Sequence, residues 1–425
     1  MYTTRERAAA TVLLTDAILI ARWNGEAVAE AGALALGHWP SWLDALADHV
    51  VSVHGGPDAD DRNALLAIVG AFLKLRRAGS ERVRFDWPVA SVGSPPELAD
   101  VLELSDGQLE WLADVRGLER AVAAERLRNY RYAAVPRRSG LPRVIEAPKL
   151  RLKEVQRWIL REILDHLPVH HAAQGFTRGR SVVDHARHHA GQPAVLRLDL
   201  EDFFASVSAG RVFGLFRTAG YEPAVAHVLT GLTTNVVPQH VWNVVHHGAS
   251  APVPATFRLG RALAAPHLPQ GAPTSPALAN LAAFRLDRRL SGLAASQGLR
   301  YSRYADDLAF SGARLRRHGT ALEAIVARIV RAEGFALNTD KSMLRSSAAR
   351  QAVCGIVVNV APNVTRTEYD RLKAILHNAG RHGPTGQGLA GRRAELQGRI
   401  AWVASLNPAR GEKLKERFAQ IDWSR

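Results

Sequence analysis

The residues with the plainest chemistry are two adjacent carboxylates in the stretch Tyr301-Ser302-Arg303-Tyr304-Ala305-Asp306-Asp307-Leu308-Ala309-Phe310-Ser311. The flanks alternate, so the stretch reads as a β-hairpin with the Asp pair at its tip. Neighbouring carboxylates repel, and the arrangement is costly unless cations neutralise it. Hard oxygen ligands of this type suit Mg²⁺, which takes one or two carboxylates together with substrate phosphates. On these residues alone a solvated turn accounts for the pair equally well, because turns favour Asp for local hydrogen bonding.

A third carboxylate upstream shifts that balance. The run from Val195 begins as a β-rich strand, reaches Asp199 at its end, and continues through Leu200, Asp202, Phe203 and Phe204 into a helix start. An acidic group ending a buried strand is expensive unless paired or metal-bound. Three carboxylates on two neighbouring strands would hold two Mg²⁺ ions roughly 3.5–4 Å apart, a clamp for in-line displacement at phosphorus.

The elements that must position these groups follow from periodicity. Residues 1–75 read as helices, broken at His54-Gly55-Gly56-Pro57, the last ending in Lys74, Arg76 and Arg77. A strand-and-loop link over 79–96 follows, with a boundary at Ser94-Pro95-Pro96, then helices over 97–104 and 106–124. Asn129–Ile145 reads as a basic hairpin turning at Ser139-Gly140. Leu150–Leu167 is an amphipathic helix stopped by Pro168, with Lys153, Arg157 and Arg161 on one face. Residues 208–267 are a long connection: helices at Arg211–Thr218 and Pro223–Leu232, then a Pro-, Gly- and His-rich segment, a loop or an RNA contact. Helices are expected over 276–290, over 320–334 and from Arg366 onward. The histidines at 170, 171, 185, 188 and 189 are expected to face the surface or RNA, since no Cys and no regular ligand spacing accompanies them.

Composition points to a polyanionic partner. The 425 residues carry 55 Lys and Arg against 40 Asp and Glu, a net +15, mostly from Arg. The planar fork of Arg suits phosphate, so nucleic acid is the expected partner. From Arg366 onward there are 12 Lys and Arg against 6 Asp and Glu, on helices able to track duplex phosphates. The single cysteine, Cys354, excludes internal disulfides and fits a reducing cytoplasm. No run approaches a membrane span, and Asp16 interrupts the apolar stretch that could mimic a signal peptide.

Five ordered motifs carry a family resemblance. They are Asp199 to Phe204; Leu268-Pro269-Gln270-Gly271-Ala272-Pro273-Thr274-Ser275-Pro276; Tyr304-Ala305-Asp306-Asp307; Gly334 to Lys341 through Asn338; and Val353-Cys354-Gly355-Ile356-Val357-Val358-Asn359. Together they resemble a bacterial retron reverse transcriptase over about residues 95–425. The resemblance implies an α+β right-hand polymerase: an N-terminal helical extension (1–95), fingers and the start of the palm (96–198), an antiparallel palm sheet (199–360) with the 208–267 connection, and a helical thumb (361–425).

It also implies roles. Asp199, Asp306 and Asp307, with the Leu200 carbonyl, would hold two Mg²⁺ ions. Arg137, Arg143, Asp202, Phe203, Phe204, Gln270, Gly271 and Lys341 would meet the nucleotide. Phe204 would be the steric gate that selects dNTPs, and Lys341 would act near the leaving pyrophosphate. Gly355, Ile356 and Val357 would form the primer grip. The implied partners are a structured noncoding RNA serving as template and primer, the DNA product with its RNA–DNA hybrid, and a separate effector protein in anti-phage defence. The pattern departs from the family at His185, where Asn is usual, at Cys354, where Thr is usual, and at Arg137, where Lys is common. Other readings are a defence-associated or group II intron-like reverse transcriptase without branched priming, and an RNA-binding partner that restrains an effector.

Overall fold

The computed structural model describes residues 4–37, 42–54, 62–75, 87–122, 124–137, 140–247, 251–384 and 391–423. The expected positions of Gly55, Gly56, Pro57, Arg76, Arg77 and Ser139, and residues 79–86 of the 79–96 link, lie outside the described residues.

The chain opens with α1 (Thr4–Ile18), α2 (Gly25–Leu36), α3 (Leu43–Val53) and α4 (Arg62–Leu75). Asn24 starts α2 by accepting from the Ala27 amide, and Gly37 ends it at φ 80°. The apolar stripes close on one another, burying Leu14, Ile18, Leu36, Trp42, Leu46, Leu65 and Val69 in one cluster. At roughly 1.5–3 kcal/mol for each large apolar side chain buried, this packing is what holds the four helices together.

Next come α5 (Pro95–Val101), α6 (Asp106–Leu112) and α7 (Leu118–Ala121). The helix expected over 106–124 is thus broken, because Asp114 and Gly117 adopt positive φ. Strands β1 (Tyr130–Val135) and β2 (Arg143–Pro148) form the expected hairpin, with Tyr130 opposite Pro148 and Val135 opposite Arg143. Helix α8 (Leu150–Glu162) ends before Pro168, because Ile163 leaves helical geometry and a 3₁₀ turn follows. Then come α9 (Val182–His188) and β3 (Ala194–Asp199).

The connection contains α10 (Ala209–Thr218), α11 (Pro223–Thr233), α12 (Gln239–His246) and α13 (Val253–Leu263). Its second half is therefore largely helical rather than a loop. The expected 276–290 helix is two, α14 (Ser275–Ala282) and α15 (Phe284–Ser296). The chain continues through β4 (Arg300–Tyr304), β5 (Asp307–Ser311), α16 (Leu315–Ala332), β6 (Met343–Ser346), β7 (Ala352–Val353) and β8 (Ile356–Val357), and ends in α17 (Arg366–His382), α18 (Arg393–Leu406) and α19 (Pro408–Ala419). Asn407 caps α19 by accepting from the Arg410 amide, with Pro408 in the first turn.

The chain divides into two compact units. The first comprises residues 1–171, 201–295 and 332–335, and the second 172–200, 296–331 and 336–425. The second unit holds a four-stranded sheet in the order β4-β5-β3-β6, with every adjacent pair antiparallel. One apolar cluster joins Val195 and Ala309 of this sheet to Val353, Ile356 and Val358, and to Leu372, Leu376, Leu396, Ile400 and Leu414 of α17–α19. No described helix is long and apolar enough to cross a membrane.

Candidate active site

Alternation along β3 and β5 buries Leu196, Leu198, Leu308 and Phe310 and brings acidic residues to one end of the sheet. Asp199 stands directly opposite Asp307 in the β3–β5 register. Asp306 sits in the two-residue turn between β4 and β5, preceded by Ala305 at φ 56°. Backbone bonds hold this end shut: the Leu200 amide donates to the Asp306 carbonyl at 2.9 Å, and the Asn338 amide to the Asp199 carbonyl at 2.8 Å. Gly175 lies so close behind the turn that a Cβ there would stand 2.7 Å from the Ala305 amide nitrogen. That position therefore requires glycine. The three expected carboxylates are brought together, with Leu200 beside them.

The electrostatics follow from this crowding. Burial raises the pKa of Asp199, opposed by Lys341, whose Nζ lies 2.8 Å from Asp199 Oδ2. Burial also raises that of Asp306, reinforced by the neighbouring Asp199. Arg197 donates to Asp307 Oδ1 at 2.9 Å, and the Cys354 thiol lies 3.5 Å from Oδ2. Burial, then Asp307, pushes the thiol pKa up, so Cys354 stays protonated and donates. Two carboxylates held back from ionising, Asp199 and Asp306, beside a third at Asp307 make an environment a divalent cation would relieve, and the all-oxygen donor set matches a hard ion.

Sequence reasoning missed Arg197, although its signal was present. It precedes Asp199 by two residues on a strand and so shares its face. The histidine expectation is corrected. His171 and His188 are exposed, but His170, His185 and His189 are buried. His189 bridges Ser311 Oγ (2.7 Å from Nδ1) and Ser302 Oγ (2.8 Å from Nε2), and Ser302 Oγ also meets His185 Nδ1 at 2.8 Å. This buried chain fixes α9 to β4 and β5, the strands that carry the Asp pair. Burial drives the His185 pKa down to about 4 and that of His189 well below 6.5, so both rings are neutral. A separate group, Asp16, His170 and His171, brings three metal-ligating atoms within 4.8 Å. Arg62 already occupies Asp16 Oδ1 at 2.6 Å, supplying the positive charge there.

The residues expected to meet a nucleotide, apart from Lys341, lie in the first unit. Arg137 faces Asp202 at 3.8 Å, and Arg143 is exposed on β2. Phe203 is 3 % exposed and packs on Phe335, so its side chain belongs to the core, whereas Phe204 is half-buried. The hairpin is tied to the loop of Gln270 and Gly271: the Glu146 amide donates to the Gln270 carbonyl at 2.8 Å. Gly271, at φ 132°, brings its Cα so near that a Cβ would sit 3.0 Å from the Glu146 carbonyl. Below them Glu146 is buried with both oxygens bonded, to His267 Nε2 at 3.0 Å and Asn235 Nδ2 at 2.7 Å. Gly355 and the strand β8 residues Ile356 and Val357 form a tight hairpin with β7, turning through Cys354 and Gly355 at positive φ.

An antiparallel sheet with carboxylates on adjacent strands, reached through this order of motifs, defines a polymerase palm of the α+β class. The profile of the family described as reverse transcriptase (RNA-dependent DNA polymerase) matches residues 135–358. The chain belongs to that family, and its relatives place it among the bacterial retron reverse transcriptases. The retron Mx65 reverse transcriptase of Myxococcus xanthus is 42% identical, over 69% of this chain and 65% of that protein. The Mx162 enzyme of the same organism is 35% identical, over 79% and 68%. The Ec86 enzyme of Escherichia coli is 31% identical, over 62% and 71%. The matched region thus spans about two thirds of the length of these relatives. Among solved structures, the foamy viral protease-reverse transcriptase in complex with double-stranded DNA covers 85% of this chain and 57% of its own at a TM-score of 0.34 and 14% identity, too remote to bear on function.

Proposed function

We propose that this protein is an RNA-directed DNA polymerase that copies a structured noncoding RNA into DNA, starting from a guanosine 2′-hydroxyl and leaving a branched RNA–DNA product. The observation that carries the polymerase reading is the placement of Asp199 opposite Asp307 on adjacent strands, with Asp306 in the turn just before Asp307 and Lys341 bonded to Asp199. Reverse transcriptases work with divalent metal ions, and the donor set supports two Mg²⁺, held by the three carboxylates and the Leu200 carbonyl. When bound, such ions activate the primer hydroxyl and stabilise charge on the departing pyrophosphate.

The chain's own groups do the rest. Arg137 and Arg143 supply cations for a triphosphate, with the backbone at Asp202 and Phe203. Phe204 excludes a ribose 2′-hydroxyl by bulk, so dNTPs are the substrates. Gln270 and Gly271 support the incoming nucleotide. Lys341 steadies or protonates the leaving group. Gly355, Ile356 and Val357 hold the primer end, and the basic helices α17–α19 follow the duplex backbone. Cellular work in the cytoplasm, with a separate effector protein in anti-phage defence, completes the retron reading.

The substitutions at His185 and Cys354 favour a second reading, a related bacterial reverse transcriptase that lacks branched priming. Purifying the protein from its host and sequencing the nucleic acid that accompanies it separates the two. The retron reading predicts DNA joined to RNA through a 2′ linkage. DNA with a free 5′ end would leave the polymerase and overturn the priming mode.

A further inference from the structure

Helices α12 and α13 are not needed to build the carboxylate site, yet they are well packed on one side. Val237, Trp242, Leu259 and Leu263 close against Leu141 and Val144 at the turn end of the β1–β2 hairpin. Their other side stays apolar and open: Val244 is 77% exposed, Val253 80% and Phe257 69%. Between the helices runs a groove of about 630 Å³ whose lining includes Gln239, Trp242, His246, Val253, Phe257 and Arg261. Trp242 and His246 stack inside it, with ring centres 4.7 Å apart and planes at 22°.

The charge around this groove is one-sided. The sequence holds no Asp or Glu between Glu222 and Asp287, a span that includes both helices. Arg258 is tied to Glu201 at 2.7 Å, which leaves Arg261, exposed, as the charged residue of the groove's lining, with Gln239, His246 and Thr256 as its other polar members. A peptide would bury the apolar floor but meets the guanidinium only where it happens to carry a carboxylate, whereas a nucleic-acid chain carries a phosphate at every residue. Unpaired nucleotides satisfy both features: bases stack on rings and apolar side chains, and phosphates meet the guanidinium. A duplex offers no exposed base faces to Phe257.

We infer that the α12–α13 groove is a docking surface for unpaired nucleotides of RNA, with Phe257 as stacking platform and Arg261 as phosphate contact. The inference deepens the reading that the chain works on RNA. It is separate from the reading that the chain polymerises DNA.

The test uses the full-length protein, a labelled single-stranded oligouridine, and a hairpin RNA of equal length without unpaired tails. Phe257→Ala and Arg261→Ala are both surface changes, checked for unchanged melting temperature. Each is expected to weaken single-strand binding about tenfold, the cost of one lost base stack or one lost phosphate contact, and to leave hairpin binding unmoved. Photo-crosslinked oligouridine is expected on the peptide that contains Phe257. Primer extension on a short saturating template is expected to match the unaltered protein, so a failure to polymerise in all forms would strike the polymerase reading alone. Unchanged single-strand affinity in both variants, crosslinks confined to other peptides, or self-association lost in Phe257→Ala without any change in RNA affinity would each overturn the inference.

Discussion

Lys341 Nζ donates to Asp199 Oδ2 at 2.8 Å, joining residues 142 positions apart at the end of β3. The contact compensates a carboxylate that burial alone would leave reluctant to ionise. In Lys341→Ala that compensation is lost, so the pKa of Asp199 rises further and the activity profile moves to higher pH. The maximal rate of single-nucleotide addition is expected to fall by about 10²-fold, the scale of a lost general acid. Lys341→Arg keeps the charge and should recover part of it. A pH–rate profile of Lys341→Ala identical to that of the unaltered protein would contradict this role.

Arg197 neutralises one oxygen of Asp307 and orients the carboxylate. Removing it leaves the acidic cluster more negative but less ordered. Arg197→Ala is therefore expected to lower the half-saturating divalent cation concentration while cutting the maximal rate about tenfold. Titrations of activity against Mg²⁺ separate these effects. A rise in the half-saturating concentration would show that Arg197 supports the site otherwise than through charge.

The His185–Ser302–His189–Ser311 chain makes the second unit acid-sensitive. Both rings are neutral when folded, with pKa values below the ordinary 6.5. Their contribution is complete above about pH 6.5 and is lost as pH falls toward about 4. The melting temperature should fall across that window. His189→Ala, which leaves Ser302 and Ser311 without this partner, should cost about 1–3 kcal/mol at neutral pH and flatten the acid slope. An equally steep acid slope in His189→Ala would mean that other groups set it.

The Glu146–His267 pair behaves in the opposite sense. Burial opposes a charge on His267, yet Glu146 and the Ala265 carbonyl overcome it, so its pKa is raised. The stability it contributes is full below about pH 6.5 and is lost as pH rises through the raised value. Breaking the pair in His267→Ala strands a buried carboxylate, a loss of about 3–5 kcal/mol. Because the buried Glu146 carboxylate holds His267 and Asn235 next to the main-chain bond that ties the β1–β2 hairpin to Gln270, Glu146→Gln, which keeps that bond but removes the charge facing His267, should raise the KM for dNTPs more than it lowers kcat. A pure kcat defect would contradict that link.

Much of this site was legible because strand alternation is local. The runs around Asp199 and Asp306 carry it within ten residues, and the hairpin and strand end appear as expected. Arg197 could have been read from the same alternation. The buried histidines could not, because their partners lie more than a hundred residues away and burial is a property of the whole fold. Prolines misled the reading of 236–263. Pro238 and Pro252 precede α12 and α13, and Pro254 lies in the first turn of α13, where a missing amide costs nothing. The break after Asp114 carried one readable sign, Gly117, which takes positive φ three residues later. The break at Ala283 has no breaker residue and interrupts a run that stays apolar on both sides, so periodicity could not show it.

The most direct test of the account is divalent-dependent primer extension on an RNA template by the purified protein and by Asp306→Asn. The substitution keeps the shape of the turn and removes one negative charge. The account predicts dNTP incorporation that needs a divalent cation and falls at least about 10³-fold in the variant, with the melting temperature preserved. RNA-templated synthesis that persists undiminished in Asp306→Asn, or that proceeds in chelator, would contradict it.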